Sequence, residues 1–113
     1  MTAEEATVFV IGQAEVVLDA PVKQRLEVGS LTIVRVYPSD AMLNSYPQVK
    51  LNRNVYAFDS SGQLVWQIQE APHGGAGEDK AYMNIRVEHG FLVAGNWIGI
   101  DYQVAMADGR VSP

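Results

Sequence analysis

The sequence predicts an all-β fold: a single domain, residues 1–113, of about eight or nine antiparallel strands, arranged as a sandwich or half-open barrel built from hairpins. Short segments alternate apolar and polar residues with a period of two, as in strands with one buried face. Glycine beside Asp, Asn or Ser separates these segments at the spacing of hairpin turns. No apolar pattern with helical spacing extends beyond about two turns.

The composition points to a soluble domain with an acidic balance. The chain has 113 residues and a formal net charge of −5, and a chain of this length can bury enough surface to fold as one unit. Basic residues are scattered from Lys23 to Arg110 without a cluster, which disfavours binding to nucleic acid or to an anionic membrane. The absence of cysteine excludes disulfides, thiolate metal sites and a cysteine nucleophile.

A cytoplasmic location is expected. The segment Met1–Glu5 is acidic and lacks the basic-then-apolar order of a secretory signal. No apolar run reaches the roughly 18 residues that a membrane span requires. The lack of cysteines fits the same compartment.

In the N-terminal part, the pattern predicts several strands. Residues 7–11, TVFVI, form a continuous apolar run, which favours a strand buried on both faces. Residues 13–19 alternate, with Val17 out of pattern. Residues 22–28 fit either one helical turn or a short strand, and a short strand or turn is favoured. Residues 31–37, LTIVRVY, alternate throughout and predict a second strong strand.

Residues 38–53 break the strand pattern. Ser39 or Asp40 is expected to cap one short helical turn that carries Met42 and Leu43. A connection of this length is uncommon in a compact domain, so it is either a functional loop or a partly ordered one. The same alternatives apply to the glycine-rich residues 71–80, APHGGAGEDK.

The clearest local prediction is a hairpin over residues 54–69, NVYAFDSSGQLVWQIQ. Its turn is Asp59–Gly62, in which Asp and Ser bond their own backbone and Gly accepts a positive φ. Trp66 shares a face with Leu64 and Ile68 and is expected in the core.

The C-terminal part repeats the scheme more loosely. Residues 82–87 and 91–95 are predicted to pair around the turn Glu88–Gly90. Residues 97–106 are predicted to form a last long strand, and Gly109 closes a short hairpin after it.

An alignment of Gly62 with Gly109 places VYAFDSSGQLV over YQVAMADGRV, so each reads as strand, polar turn, glycine and strand. The sequence VYAFDSSGQLVW resembles the repeat of quinoprotein-type β-propellers, in which a strand ends in Asp, a turn carries Gly and a Trp follows. Residues 53–111, including the Gly-Asn-Trp segment, are also similar to small bacterial proteins of unknown function.

This resemblance implies blade-like antiparallel hairpins between Arg53 and Val111. A propeller ring needs at least about four blades of four strands, more than the chain can supply. Neither a ring within one chain nor a quinone cofactor is therefore implied.

No catalytic constellation is predicted. His73 with Glu78 and Asp79 is the nearest approach to a metal site, but zinc needs three or four converging ligands, so a plain loop is favoured. His89 is expected to be a turn residue, and Ser60 is explained by its turn.

Among the carboxylates, Asp40, Asp59 and Asp101 are candidates for acid–base chemistry. Asp59 is needed by its turn, and alternation favours an outward-facing strand position for Asp101. No catalytic residue, metal or cofactor is predicted.

The predicted ligand-binding residues are Asn96, Trp97, Asp101 and Tyr102, beside a pocket fenced by residues 38–53. An indole combines a large apolar area with one donor, which suits ligand stacking or an interface. A position in the core is the alternative for Trp97.

Three hypotheses of function remain. The first is a noncatalytic binding or protein-interaction module, in one version a homodimer that pairs exposed strand edges. The second is a small-ligand-binding protein with its pocket near Trp97 and Tyr102. The third and least favoured is a small hydrolase-type enzyme that uses Asp101 or His73.

Overall fold

The computed structural model describes residues 7–72, 80–96 and 99–112. The described residues form ten strands and two one-turn helices, which confirms the predicted all-β class. All strand pairings are antiparallel, and no sheet closes into a barrel within the described ranges. The strands are β1 (Val8–Ile11), β2 (Ala14–Val17), β3 (Val22–Val28), β4 (Leu31–Val36), β5 (Val55–Phe58), β6 (Leu64–Gln67), β7 (Tyr82–Glu88), β8 (Phe91–Asn96), β9 (Asp101–Val104) and β10 (Val111–Ser112); the helices are α1 (Asp40–Leu43) and α2 (Gln48–Leu51).

Three sheets form three layers. The central sheet has the order β3-β4-β5-β6, the outer sheet has the order β10-β9-β8-β7, and β1 and β2 form the N-terminal hairpin. All four residues of β5 are buried. Val55 and Ala57 pack towards the outer sheet, whereas Tyr56 and Phe58 pack towards the N-terminal hairpin. Because side chains alternate along a strand, β5 contributes residues to two separate cores.

The larger core lies between the central and outer sheets, and the smaller core lies under the N-terminal hairpin. The larger core contains Ile33, Val55, Ala57, Trp66, Ile68, Ala71, Tyr82, Ile85, Leu92, Ala94, Tyr102 and Val104. The smaller core contains Ile11, Val16, Ala20, Val34, Val36, Tyr56 and Phe58.

The N-terminal hairpin corrects one prediction. The run at residues 7–11 was expected to be buried on both faces, but Val8 and Val10 are 42% and 51% exposed. The hairpin is the outermost layer, so only one of its faces meets the protein. Val17, the residue out of pattern, lies on the open face and is 68% exposed.

The hairpin at residues 54–69 forms as predicted. Oδ1 of Asp59 accepts hydrogen bonds from the backbone and hydroxyl of Ser61, at 2.9 and 2.6 Å, and from the backbone of Gln63, at 3.0 Å. Gly62 has a φ of 86°, in the left-handed region that glycine adopts without strain.

Three further predictions concern residues 22–28, residues 38–53 and residues 97–106. Residues 22–28 form a strand and not a helical turn. Ser39 holds the N-cap position of α1 but makes no side-chain cap hydrogen bond, and α2 was not predicted. The single long strand expected over residues 97–106 is wrong, because β8 ends at Asn96 and β9 begins at Asp101 after a turn at Gly99, whose φ is 88°.

Side-chain amides join the central sheet to strand β7. The amide of Asn54 bonds the backbone N–H and C=O of Tyr82, both at 2.9 Å. The amide of Gln24 bonds the backbone N–H and C=O of Ile85, at 3.0 and 3.3 Å. Each amide thus takes the place of a neighbouring strand along an edge that would otherwise lack partners.

The opposite edge of the outer sheet is tied in a similar way. The backbone N–H of Gln69 donates to Gly109 O at 3.0 Å, and Gln69 Oε1 accepts from Val111 N at 3.0 Å. Both edge strands of the outer sheet are therefore partly engaged by the central sheet. The homodimer joined through strand edges stays a prediction for the remaining edges.

The two four-stranded sheets share one plan. β3 and β7 have seven residues each, β4 and β8 have six, and a register shift follows the first pair of each hairpin. Gly62 and Gly109 both lie between the third and fourth strands of their sheets. The alignment of Gly62 with Gly109 therefore matches hairpins that occupy equivalent positions in the two sheets.

Within the described ranges, neither helix has the length or the apolar character that a membrane crossing requires.

Candidate functional site

A groove of about 450 Å³ lies where the N-terminal hairpin meets the connection that carries α2. We call it the polar groove. Three elements build it: the residues at the end of β2, one turn of helix and the central sheet. It is lined by Val17, Leu18, Asp19, Lys50, Tyr56 and Gln67.

The connection is fastened on both sides of Lys50. Tyr46 packs against the smaller core, and Leu51 is buried at the end of α2. Asn52 accepts a hydrogen bond from Lys80 N at 2.9 Å and donates one to Glu70 at 2.7 Å. Between these anchors α2 makes a single turn, which directs Lys50 towards Asp19.

Asp19 is the centre of the polar contacts in this groove. Its Oδ1 accepts a hydrogen bond from the Tyr46 phenol at 2.8 Å, and its Oδ2 forms an ion pair with the Lys50 ammonium. The side chains of Asp19 and Lys50 remain 45% and 43% exposed. The Lys50 ammonium also lies 5.7 Å from the centroid of the Tyr46 ring, within the range of a cation–π contact.

The hydrogen bonds continue into the floor of the groove. Gln67 Nε2 donates to the Tyr56 hydroxyl at 3.3 Å and to Arg53 O at 2.9 Å. Burial, together with the neighbouring Tyr56, raises the pKa of Tyr46 to about 12. The Tyr46 phenol therefore stays protonated at neutral pH and acts as a hydrogen-bond donor.

This arrangement can bind a polar molecule. One carboxylate and one ammonium lie side by side, half exposed, and their charges cancel. The carboxylate accepts hydrogen bonds, and the ammonium has donors beyond the one directed at Asp19. Val17 and Leu18 add apolar surface beside the charged pair.

The structure describes three of the predicted ligand-binding residues: Asn96, Asp101 and Tyr102. Asp101 and Tyr102 are adjacent in β9, so their side chains point to opposite faces of the sheet. Tyr102 is fully buried, with its ring centroid 6.2 Å from that of Tyr82 in an edge-on contact. Asn96 is buried, and its Oδ1 accepts from Ile100 N at 2.9 Å, which closes the turn before β9. Trp97 lies outside the described residues.

Asp101 belongs to a network on the open face of the outer sheet. Its Oδ2 accepts from Arg86 Nη2 at 2.8 Å, and Arg86 also bonds Glu88 at 2.9 Å and Asn84 at 2.6 Å. Glu88 and Asp101 together raise the pKa of Arg86. Gly95 lies beneath, where a Cβ would come within 2.7 Å of Asp101 Oδ1. The absence of a side chain there leaves room for the network.

The remaining candidates have local explanations or lie elsewhere. His89 is in the turn between β7 and β8 with a φ of 52°, as expected of a turn residue. His73, Glu78 and Asp79 lie outside the described residues. Over the ranges that the structure covers, no three His, Asp or Glu side chains converge as metal ligands.

A second groove, of about 530 Å³, lies at one end of the outer sheet. We call it the apolar groove. Its walls include Phe91, Val104 and Met106, and Arg110 is the charged residue in its lining. Phe91 is 54% exposed there.

The residues of the polar groove were missed by the sequence analysis because no spacing links them. Asp19, Lys50 and Gln67 come from three separate segments and meet only through the fold. The one usable signal was the unusual length of residues 38–53, which pointed to the connection but not to its partner Asp19.

Comparison with known proteins gives a family without an assigned activity. No curated protein and no solved structure matches the sequence. One family matches over residues 1–113, and the chain therefore belongs to the family described as a domain of unknown function (DUF7957).

Proposed function

We propose that this protein is a noncatalytic binding domain that holds a small polar ligand in the polar groove. The observation that carries the proposal is that Asp19 and Lys50 pair in the lining of an open groove, with Asp19 also held by the Tyr46 phenol. Charged groups half exposed in a concave site, with apolar surface beside them, are the usual elements of ligand recognition.

The state of these groups favours binding over proton transfer. A general base needs a pKa near the working pH, whereas Tyr46 has a pKa raised to about 12. The Lys50 ammonium is engaged in an ion pair with Asp19.

The shape of the site also favours a small molecule. The polar groove has a volume of about 450 Å³, within the usual range for small-molecule sites. Its lining includes Tyr56, which is buried and accepts a hydrogen bond from Gln67. Side chains that are already packed and bonded lower the ordering cost of binding.

The test is a thermal-shift screen of a library of small polar compounds. A ligand that binds only the folded protein raises the melting temperature. We expect hits whose shift is lost in Lys50→Met and reduced in Tyr46→Phe. Arg110→Met, which removes a cation from the outer sheet, is the matched control and should keep the shift. A shift that survives Lys50→Met and Tyr46→Phe unchanged would place the ligand elsewhere and contradict the proposal.

A further inference from the structure

We infer that the ligand of the polar groove is a neutral molecule with two adjacent hydroxyl groups, of the kind that a sugar ring carries. This inference rests on the proposed function and names the class of ligand. It follows from the donors and acceptors that Asp19 and Lys50 present side by side.

A pair of adjacent hydroxyls matches a carboxylate beside an ammonium. Each hydroxyl can both donate and accept a hydrogen bond. One hydroxyl can donate to the carboxylate of Asp19 while its neighbour accepts from the ammonium of Lys50. Both contacts are charge-assisted, which makes them stronger than hydrogen bonds between neutral groups.

The charges of the site disfavour ionic ligands. An anion attracted to Lys50 meets the carboxylate of Asp19 at the same place, and a cation attracted to Asp19 meets Lys50. The chain as a whole carries −5, which adds repulsion against anions. A neutral ligand has neither conflict and leaves the ion pair in place.

The apolar residues that line the polar groove suit the C–H groups of a sugar ring. A sugar ring carries C–H groups between its hydroxyls, and Val17 and Leu18 line the groove next to Asp19. Val17 is largely exposed, so its contact with a ligand would remove apolar surface from water.

A hydrogen bond from Tyr46 helps to hold the carboxylate of Asp19 in position. The phenol of Tyr46 donates to Oδ1 of Asp19, while Lys50 holds Oδ2. Both oxygens are thus oriented before a ligand arrives, and a carboxylate oxygen accepts more than one hydrogen bond. A preorganised acceptor costs less to order on binding.

The experiment is an NMR titration of the ¹⁵N-labelled full chain. The neutral probes are methyl α-glucoside, methyl α-mannoside and adenosine, which separate a pyranose source from a ribose source of the diol. Glucuronate is the anionic probe, and 2′-deoxyadenosine and methyl 3-deoxy-α-glucoside are the controls that carry no two adjacent hydroxyls. The Gln67 side-chain amide and the backbone amides of Asp19 and Lys50 report on the groove.

We expect at least one neutral diol to shift these signals, and its deoxy form to bind about tenfold more weakly or worse, the effect of about one lost charge-assisted hydrogen bond. Asp19→Asn should weaken binding similarly. Asp108→Asn, a matched loss of an exposed carboxylate in the turn before β10, should leave it unchanged.

Two results would overturn the inference. If glucuronate or another charged compound shifts the groove signals and no neutral diol does, the diol assignment fails while the binding groove stands. If diols bind but their deoxy forms bind equally well, adjacent hydroxyls are not what the site recognises. If neither these probes nor any hit of the thermal screen shifts the NMR signals of the groove residues, both proposals are contradicted.

Discussion

The side-chain amide of Asn54 pairs with Tyr82 as a neighbouring strand would. Its Nδ2 donates to Tyr82 O at 2.9 Å, and its Oδ1 accepts from Tyr82 N at 2.9 Å. The same Nδ2 donates to Val36 O at 2.8 Å. Asn54 is fully buried, so one amide satisfies three backbone groups that water does not reach.

Asn54→Ala should therefore destabilise the fold strongly. The change leaves Tyr82 N–H, Tyr82 C=O and one bond of Val36 O without partners. Buried polar groups without partners cost about 1–3 kcal/mol each, and partial relaxation suggests a total loss of about 2–4 kcal/mol in the free energy of unfolding.

Chemical denaturation measures this loss, and Asn44→Ala, at the exposed C-cap of α1, is the matched control. The control should change stability by no more than about 1 kcal/mol. Equal losses in the two variants would show that the amide link between the sheets contributes little.

Gly109 is the second point at which the two sheets depend on one residue. A Cβ added to Gly109 would lie 2.7 Å from Cε3 of Trp66, and the indole is held in place by its bond to Met106 O at 2.8 Å. Gly109→Ala should cost about 1–2 kcal/mol for its positive φ and about 1–3 kcal/mol more for overpacking.

Gly90→Ala separates these two costs. Gly90 has a φ of 82°, close to the 77° of Gly109, but nothing lies within 4 Å of an added Cβ. Denaturation of the two variants should show Gly109→Ala to be the worse. If they lose the same amount, the contact with Trp66 has no energetic weight.

Asp59 should make the stability depend on acid pH. Hydrogen bonds from the hydroxyl of Ser61 and the backbone of Gln63 lower the pKa of Asp59 in the folded state. A lowered pKa means that the contribution is present above the ordinary value of 3.8 and is lost as the pH falls through the folded value.

Asp59→Asn keeps an oxygen acceptor in the turn but removes the charge. The difference in unfolding free energy between the wild type and Asp59→Asn should be present at neutral pH and shrink on acidification below about pH 4. A difference that stays constant from neutral to strongly acid pH would show that the charge of Asp59 plays no part.

Asp101 should have no role in ligand binding and only a small effect on the free energy of unfolding. It forms an exposed ion pair with Arg86 on the open face of the outer sheet, and such pairs contribute about 0–1 kcal/mol. Asp101→Asn should lower the unfolding free energy by less than about 1 kcal/mol, with a smaller effect in high salt. Loss of ligand binding in Asp101→Asn would contradict this prediction and would favour a site at the residues predicted from the sequence.

The local parts of the fold could be predicted from the sequence because they are encoded over a few residues. The turn Asp59–Gly62 and the alternation over residues 31–37 need no distant partner. Burial of residues 7–11 could not be judged, since an apolar run such as TVFVI does not indicate how many layers will cover it. The break at Gly99 was missed because the residues on both sides are apolar.

The candidate site could not be predicted because it is assembled by the fold. Asp19 follows an alternating strand and Lys50 lies in an unpredicted helical turn, 31 residues apart in sequence. The pairing of Asp101 with Tyr102 in one predicted site overlooked that adjacent strand residues face opposite ways. The resemblance of residues 53–111 to propeller blades stays a prediction.

The most direct test of the account is a crystal structure of the protein with the strongest hit from the thermal screen. We predict electron density for the ligand in the polar groove, within hydrogen-bond distance of Asp19 and Lys50. Density in the apolar groove beside Phe91, or at Asp101, with the polar groove empty, would contradict the proposed function.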